Sequence, residues 1–460
     1  MAGIGFSLEK YLKKNSYLGL VQAHLYSAFI GAGPWLICTI TLFALSNWSP
    51  GTLDRYEIVF FRTTINYVFI FSLVTTGFLY LSVSRHLADR LFLKEDTAVI
   101  PILNSCLAIV IPVQAVTAGI FFSFVTHNVP IRLWVTMIYV VVSCMWVLMM
   151  FLTALRDFKT ISCVFVAGAF ITFGAAYFFG YWFGLPGYFF GYLLGHLLIV
   201  LALSARVFIE FASKRVFDES VFTFLANNKA LVLTGFIYNV ALWVDKFVMW
   251  GSPRSITVAY GYYSYPQYEA STFFAFLTII PSISIFLISV ETDFYRAYRN
   301  YFSQILEQGT LGGVLKAKSE MGKSLRDSCR TMIIYQGVIS FLAIIFAVEI
   351  INFFHLPTVS VPVFRITALG AFIFSLLLIT LTIILYFDLK KLALYVSIVF
   401  LATNWFFTWV TVYLPIGYEG FGYFAATIVT LAFAYYALDF NFKNFEFITF
   451  SRQPVSPHPE

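Results

Sequence analysis

The sequence predicts an all-α, polytopic membrane protein with twelve transmembrane helices in two six-helix lobes. Three observations carry that expectation. Of the 460 residues, 60% are hydrophobic and only 11% are charged, where a soluble domain carries about 25% charged residues. Twelve stretches are apolar over the length of about 20 residues that a helix needs to cross the hydrocarbon core. The basic residues also alternate. With the N-terminus placed inside, 23 of the 29 Lys and Arg fall on inner segments and five on outer ones (Arg55, Arg62, Arg132, Arg254 and Arg365), while Lys246 lies within a span. Cytoplasmic loops hold the positive excess, so both termini are expected in the cytoplasm.

The expected spans are 18–45, 58–83, 98–124, 132–155, 160–183, 186–208, 230–250, 268–290, 331–354, 363–387, 392–414 and 417–440. Lys10, Lys13 and Lys14 precede a first stretch too long for a signal-peptide core, with no small-residue cleavage site after it, so no cleavable signal is expected. Within that span Gly31, Gly33 and Pro34 interrupt the helix. Pro34 lacks a backbone donor and clashes with the preceding turn, and the glycines loosen it. The motif reads as a hinge or as a purely architectural kink, and Pro101 and Pro112 in span three pose the same question. Only Gly184 and Leu185 separate spans five and six. The polar run Ile209 to Lys229 divides the chain into lobes at 1–225 and 226–460. Six is even, so both lobes start inside and run in one direction, as parallel repeats do in transporters. Outer loops are too short to hold a folded domain.

The longest inner segment, Glu291 to Arg330, begins with Phe294, Tyr298, Tyr301, Phe302, Ile305 and Leu306 at helical spacing, with Arg296 and Arg299 off that stripe. This pattern predicts an amphipathic helix lying along the inner leaflet. Gly309, Gly312 and Gly313 break it, and a second basic helix follows through Lys316, Lys318, Lys323 and Arg326. The segment is either a solvated connector or a dock for a cytoplasmic partner through Arg296, Arg299, Lys316, Lys318 and Lys323. Ile4, Phe6, Leu8 and Leu12 beside Lys10 suggest that the N-terminus also lies on the membrane.

Charged groups inside the bilayer are costly and mark wet or paired interiors, which singles out Asp245 and Lys246 in span seven. Adjacent helical side chains diverge by about 100°, so these two are not expected to neutralise each other simply. A transport cavity, with Trp243 and Trp35 near the same depth, is the functional reading. Arg62, Glu269 and Glu349 sit at similar depth, either as solvated helix ends or as parts of a polar ring around that cavity. The tyrosine-rich run from Tyr260 to Tyr268 reads as an interfacial belt or as an aromatic exit surface for a saccharide.

Catalytic signatures are missing. The sequence holds no phosphate-binding loop and no H-E-x-x-H motif, and its six histidines are scattered; His196 reads as a hydrogen-bonded core residue. Cys38, Cys106, Cys144 and Cys163 fall inside spans and Cys329 in an inner loop, so neither a disulfide nor a metal site is expected. No cofactor is expected. The net charge of +6 suits anionic lipid at the inner face rather than nucleic acid.

Four patches carry a family resemblance: Met1-Ala2-Gly3-Ile4-Gly5-Phe6-Ser7-Leu8-Glu9-Lys10, Gly33-Pro34-Trp35, Trp243-Val244-Asp245-Lys246, and Val290-Glu291-Thr292-Asp293-Phe294-Tyr295. In this order, with the length and span layout, the chain resembles the PelG family, membrane subunits of the Pel exopolysaccharide apparatus. The resemblance implies the multidrug/oligosaccharidyl-lipid/polysaccharide exporter superfamily, with two lobes around a central cavity. It implies export of a growing polymer rich in N-acetylgalactosamine across the bacterial inner membrane. It further implies a complex with a cytoplasmic UDP-sugar-dependent glycosyltransferase (PelF-like) and with membrane proteins like PelD and PelE, the former sensing cyclic di-GMP. The expected function is therefore polysaccharide transport without catalysis. The rivals are a lipid-linked oligosaccharide flippase, a cation-coupled drug antiporter using Asp245, and a scaffold that only anchors a synthase.

Overall fold

The computed structural model describes Tyr17 to Ser451 apart from Pro50, Thr52, residues 156–157, Tyr260 and residues 290–292. The N-terminal residues read as membrane-associated (Ile4, Phe6, Leu8, Leu12, Lys10, Lys13 and Lys14), with the whole first resemblance patch and part of the last, lie outside the described residues. Among those described, ten helices are long and apolar enough to cross a membrane. The protein is a multi-pass helical membrane protein.

The first half contains α1 (Tyr17–Asn47), α2 (Arg55–Phe92), α3 (Val99–Val125), α4 (Val129–Leu155) and α5 (Phe158–Glu210). Helix α1 runs on through Pro34. Helix α2 starts with a reciprocal cap: the Glu57 amide donates to Asp54 Oδ1 at 2.7 Å and the Asp54 amide to Glu57 Oε2 at 3.1 Å, occupying donors that a helix start leaves unpaired. The 53 residues of α5 form two limbs that reverse at Gly184, whose φ of 63° and ψ of −147° suit a residue without Cβ. The limbs pack antiparallel at van der Waals distance. A Cβ on Gly187, Gly191 or Gly195 would strike the backbone of Phe179, Ala175 or Thr172, so glycine at every fourth position lets the two backbones touch.

Helix α6 (Ser220–Asn227) links to the second half, which contains α7 (Lys229–Trp250), α8 (Pro266–Leu277), α9 (Ile280–Ser289), α10 (Tyr295–Leu306), α11 (Leu311–Ile345), α12 (Ala347–Phe353), α13 (Ser360–Tyr386), α14 (Lys390–Thr411), α15 (Gly420–Lys443) and α16 (Phe445–Ser451). Between α7 and α8 lies an antiparallel hairpin of β1 (Ile256–Ala259) and β2 (Tyr262–Ser264), a small departure from the all-α expectation.

Three other departures have clear causes. The stretch expected as span eight is broken into α8 and α9 at Thr278 and Ile279, because Pro281 has no amide to donate to Leu277 four residues back. The second basic helix and the first part of span nine are one helix, α11, capped by Thr310, whose Oγ1 accepts from the Gly313 amide at 3.2 Å; α12 holds the rest of that span. The amphipathic stripe of α10 packs on protein from Phe294 to Ile305, with only Leu306 exposed at its end. Phe294 and Tyr301 are fully buried; the Phe294 ring meets Tyr386 and Phe387, and Tyr301 meets Phe445. The helix thus covers the ends of α13 and α16, so its aromatic periodicity reflects tertiary packing.

Buried apolar residues form two large clusters, one from Cys38 to Tyr262 and one from Ala241 to Phe445. In the first half α1 packs on α5, α2 on α4, and α4 on α3 and α5. In the second α7 packs on α14, α8 on α13, and α13 on α11 and α15. Across the halves α2 packs on α7 and α1 on α9. The α2–α7 crossing is tightest at Gly235, where a Cβ would strike the Gly77 carbonyl oxygen.

Candidate transport site

Asp245 and Lys246 sit on α7 and are buried, Asp245 completely. Lys246 Nζ donates to Asp245 Oδ2 at 2.9 Å, and the Tyr268 hydroxyl of α8 donates to the same oxygen at 2.8 Å. The ammonium also lies 5.3 Å from the ring centroids of both Trp243 and Phe276, within the range of cation–π attraction. The expectation that these adjacent side chains do not simply neutralise each other is corrected in part: Lys246 reaches the carboxylate, and Tyr268 of another helix shares it. Four methylenes let Lys246 fold back along the helix onto its neighbour's carboxylate. Asp245 Oδ1 and the Tyr423 hydroxyl have no hydrogen-bond partner among the described residues.

A second charged cluster adjoins the first through Tyr268, whose ring stacks on Tyr265 at 6.4 Å. The Tyr265 hydroxyl donates to Glu419 Oε1 at 2.9 Å, Arg254 Nη1 to the same oxygen at 2.8 Å, and the Gly417 amide to Glu419 Oε2 at 2.7 Å. Arg254 Nη2 also donates to the Leu414 carbonyl. Glu419 is 1% exposed. In the sequence it is only one of several loop acids; its signal was the opposite charge of Arg254 in another short loop. Glu269 is a brace: its Oε1 accepts from Trp250 Nε1 at 2.8 Å, Ser264 Oγ at 3.0 Å and the Tyr265 amide at 2.7 Å. Those bonds tie α7, β2 and α8 together.

The polar ring read from sequence is therefore assembled only in part. Asp245, Lys246 and Trp243 meet, and Glu269 is drawn into hydrogen bonds beside them. Arg62 and Glu349 are exposed and take no part in this network among the described residues. Trp35 is half-buried, its ring 5.5 Å from Phe273. In α1 Gly31, Gly33 and Pro34 lie in continuous helix. The tyrosine run is packing rather than an exposed platform. Tyr262 and Tyr268 are fully buried and Tyr265 nearly so, while Tyr263 faces out.

Among the residues read as a partner dock, Arg296, Arg299, Lys316 and Lys323 are exposed. Lys318 is engaged internally: its ammonium donates to Glu446 Oε2 at 2.5 Å and to the Lys443 carbonyl at 3.0 Å, pinning α16 to α11. Lys323 shares a cleft of about 380 Å³ with Asp293, Glu320 and Asp327, so that part of the surface is not uniformly basic.

The first half holds neutral polar clusters. Thr75 Oγ1 lies 3.0 Å from Gln114 Oε1 and 3.1 Å from the Tyr139 hydroxyl; Trp146 Nε1 donates to Ser72 Oγ at 3.0 Å. His196 Nδ1 lies 3.1 Å from the Tyr192 carbonyl oxygen, as its reading as a core histidine expects. No group of three or more potential metal ligands occurs among the described residues.

Known proteins align with this arrangement. A crystal structure of MATE in complex with MaL6 superposes with a TM-score of 0.67 at 12% identity, covering 92% of this chain and 96% of that one. The bent form of the Vibrio cholerae MATE transporter VcmN gives 0.62 at 12% identity, covering 96% and 98%. A MOP superfamily transporter from Pyrococcus furiosus gives 0.60 at 12% identity, covering 91% and 96%. At these identities the likeness is one of fold. No curated protein matches by sequence. The family model for PelG, described as a putative exopolysaccharide exporter, matches residues 1–450. The chain, a transporter in fold rather than an enzyme, belongs to the PelG family of putative exopolysaccharide exporters.

Proposed function

We propose that this protein moves a growing exopolysaccharide, of the Pel type rich in N-acetylgalactosamine, from cytoplasm to periplasm across a bacterial inner membrane. The match to an exopolysaccharide-exporter family over residues 1–450 carries the reading. In it the chain crosses twelve times, in lobes 1–225 and 226–460, with both termini cytoplasmic and the β-hairpin outward. Counting α5 as two crossings and α8 with α9 as one supports twelve. The recurrence of helix pairs supports two parallel lobes: α2 on α4 is matched by α8 on α13, and α3 on α4 by α11 on α13. The reciprocal pairs α2 with α7 and α1 with α9 fit the same twofold relation. Substrate would pass between the lobes near Trp35, Trp243, Asp245 and Lys246, with Arg62, Glu269 and Glu349 towards the outer side.

A cytoplasmic PelF-like glycosyltransferase would feed the polymer, with PelD-like and PelE-like membrane partners. The surface for the enzyme would be the exposed Arg296, Arg299, Lys316 and Lys323; Lys318, held by Glu446, is set aside. Lys246 already neutralises Asp245, which weighs against an antiporter that recruits a free cation there. The test is a strain lacking this gene with the glycosyltransferase intact. Glycan should accumulate in the cytoplasm and vanish from the periplasm, and reversing Arg299, Lys316 and Lys323 should reduce co-purification of the enzyme. Normal periplasmic glycan in the deletion strain would refute the reading. For the hinge, Pro34→Ala should leave stability unchanged and lower export; unaltered export would make the proline architectural.

A further inference from the structure

The β-hairpin belongs by sequence to the second half and packs on the first. Tyr67 of α2 grips its backbone twice, donating to the Tyr263 carbonyl at 2.8 Å and accepting from the Tyr263 amide at 3.0 Å. Tyr262, fully buried, sits among the rings of Phe60, Tyr67 and Phe121 at centroid distances of 5.7, 4.8 and 6.2 Å. The Tyr67 ring also stacks on Trp250 at 4.5 Å and 10°. The two roots of the same segment are fixed to the second half, through Arg254 and Tyr265 on Glu419 and through Ser264 on Glu269. One short segment is thus anchored on both sides of the α2–α7 seam. Rigid separation of the halves at this end must break the Tyr67 grip or tear the hairpin from its roots.

We propose that residues 251–259 and 261–265 form a latch that holds this end of the seam closed, and that Tyr67 and the Tyr262 socket release for each outward opening. The grip is the weaker side. It consists of two neutral hydrogen bonds and a set of ring contacts, each of modest net strength. The roots instead use the ion pair of half-buried Arg254 with fully buried Glu419, and leaving that carboxylate unpaired is more costly than breaking neutral contacts. Opening should therefore leave the hairpin with the second half. The proposal rests on the reading that the hairpin faces outward.

The experiment uses the full chain in a background without its five native cysteines. Gly261→Cys and Val125→Cys are joined by a short, reducible thiol cross-linker; a Cβ at 261 lies 3.4 Å from Val125 Cγ2, and because Gly261 has a φ of 80° that strains any side chain, the same variant without cross-linker is the reference. A third substitution, Thr64→Cys, reports from beneath the hairpin, where Thr64 is 1% exposed, through its labelling by a membrane-impermeant maleimide added outside. Before cross-linking, Thr64→Cys should label slowly. Cross-linking should slow labelling by about tenfold or more, and reduction should restore it. Equal labelling in both states, or none in either, overturns the latch. Because labelling needs no cargo, failure of the two proposals is distinguishable. Protected Thr64→Cys with undiminished glycan export leaves the latch standing and rejects the polysaccharide path; blocked labelling together with blocked export supports both.

Discussion

The two halves share a pattern of helix pairs and differ in how they hold polarity. Among the described residues, the buried polar groups of the first half are hydroxyls, one glutamine and two histidines. Those of the second include Asp245, Lys246 and Glu419. The hydroxyls of the first half mostly donate to carbonyls one turn back in their own helix, as Thr64, Thr76, Ser143 and Thr172 do. Such groups need little from their neighbours. A buried charge needs a partner of opposite sign, so the second half places Lys246 on Asp245 and Arg254 on Glu419. The second interior has such hydroxyls too, as Thr234, Thr272 and Ser397 show, and adds charge pairs to them.

The largest effect that can break this contrast is Lys246→Met. It leaves the Asp245 carboxylate buried with only Tyr268, a condition that costs about 3–5 kcal/mol. Thermal unfolding in detergent should show a large loss of stability, mostly recovered when Asp245→Asn is added. A Lys246→Met protein as stable as the parent would mean that charge does not organise this interior. Gly191→Leu should rank next, at about 1–3 kcal/mol for overpacking, because its Cβ would strike the Ala175 backbone. It should lower the monodisperse yield on size-exclusion chromatography, and tolerance of leucine there would deny the close backbone contact of the α5 limbs. Thr75→Val should be the mildest, at about 1 kcal/mol. A cost equal to that of Lys246→Met would erase the difference between the halves.

Much of this was legible in the sequence. Hydrophobic length and the alternation of Lys and Arg pointed to a multi-pass protein, and intramembrane cost drew attention to Asp245 and Lys246. Their mutual pairing was not legible, because helical geometry fixes where Cβ points and not where a four-methylene chain ends. Glu419 escaped for a different reason: burial of a loop acid depends on the far loop that carries Arg254. The tyrosine run misled because its inward and outward members sort only once the segment is a strand, with Tyr262 and Ser264 in and Tyr263 out. The stripe on α10 is amphipathic as its spacing predicts, yet it packs on protein, since periodicity alone does not distinguish an apolar protein surface from a membrane.

The Asp245–Lys246 pair has an electrical consequence. Carrying one elementary charge across a membrane held at 100 mV involves about 2.3 kcal/mol. A half that rocked with a lone buried carboxylate would have its conformational balance tilted by the membrane potential. With the ammonium 2.9 Å away on the same helix, the two charges move together and their work against the field cancels. If this half rocks, the pair makes that motion indifferent to voltage at this position, and the rate of such a motion should hold as the cell's potential rises and falls.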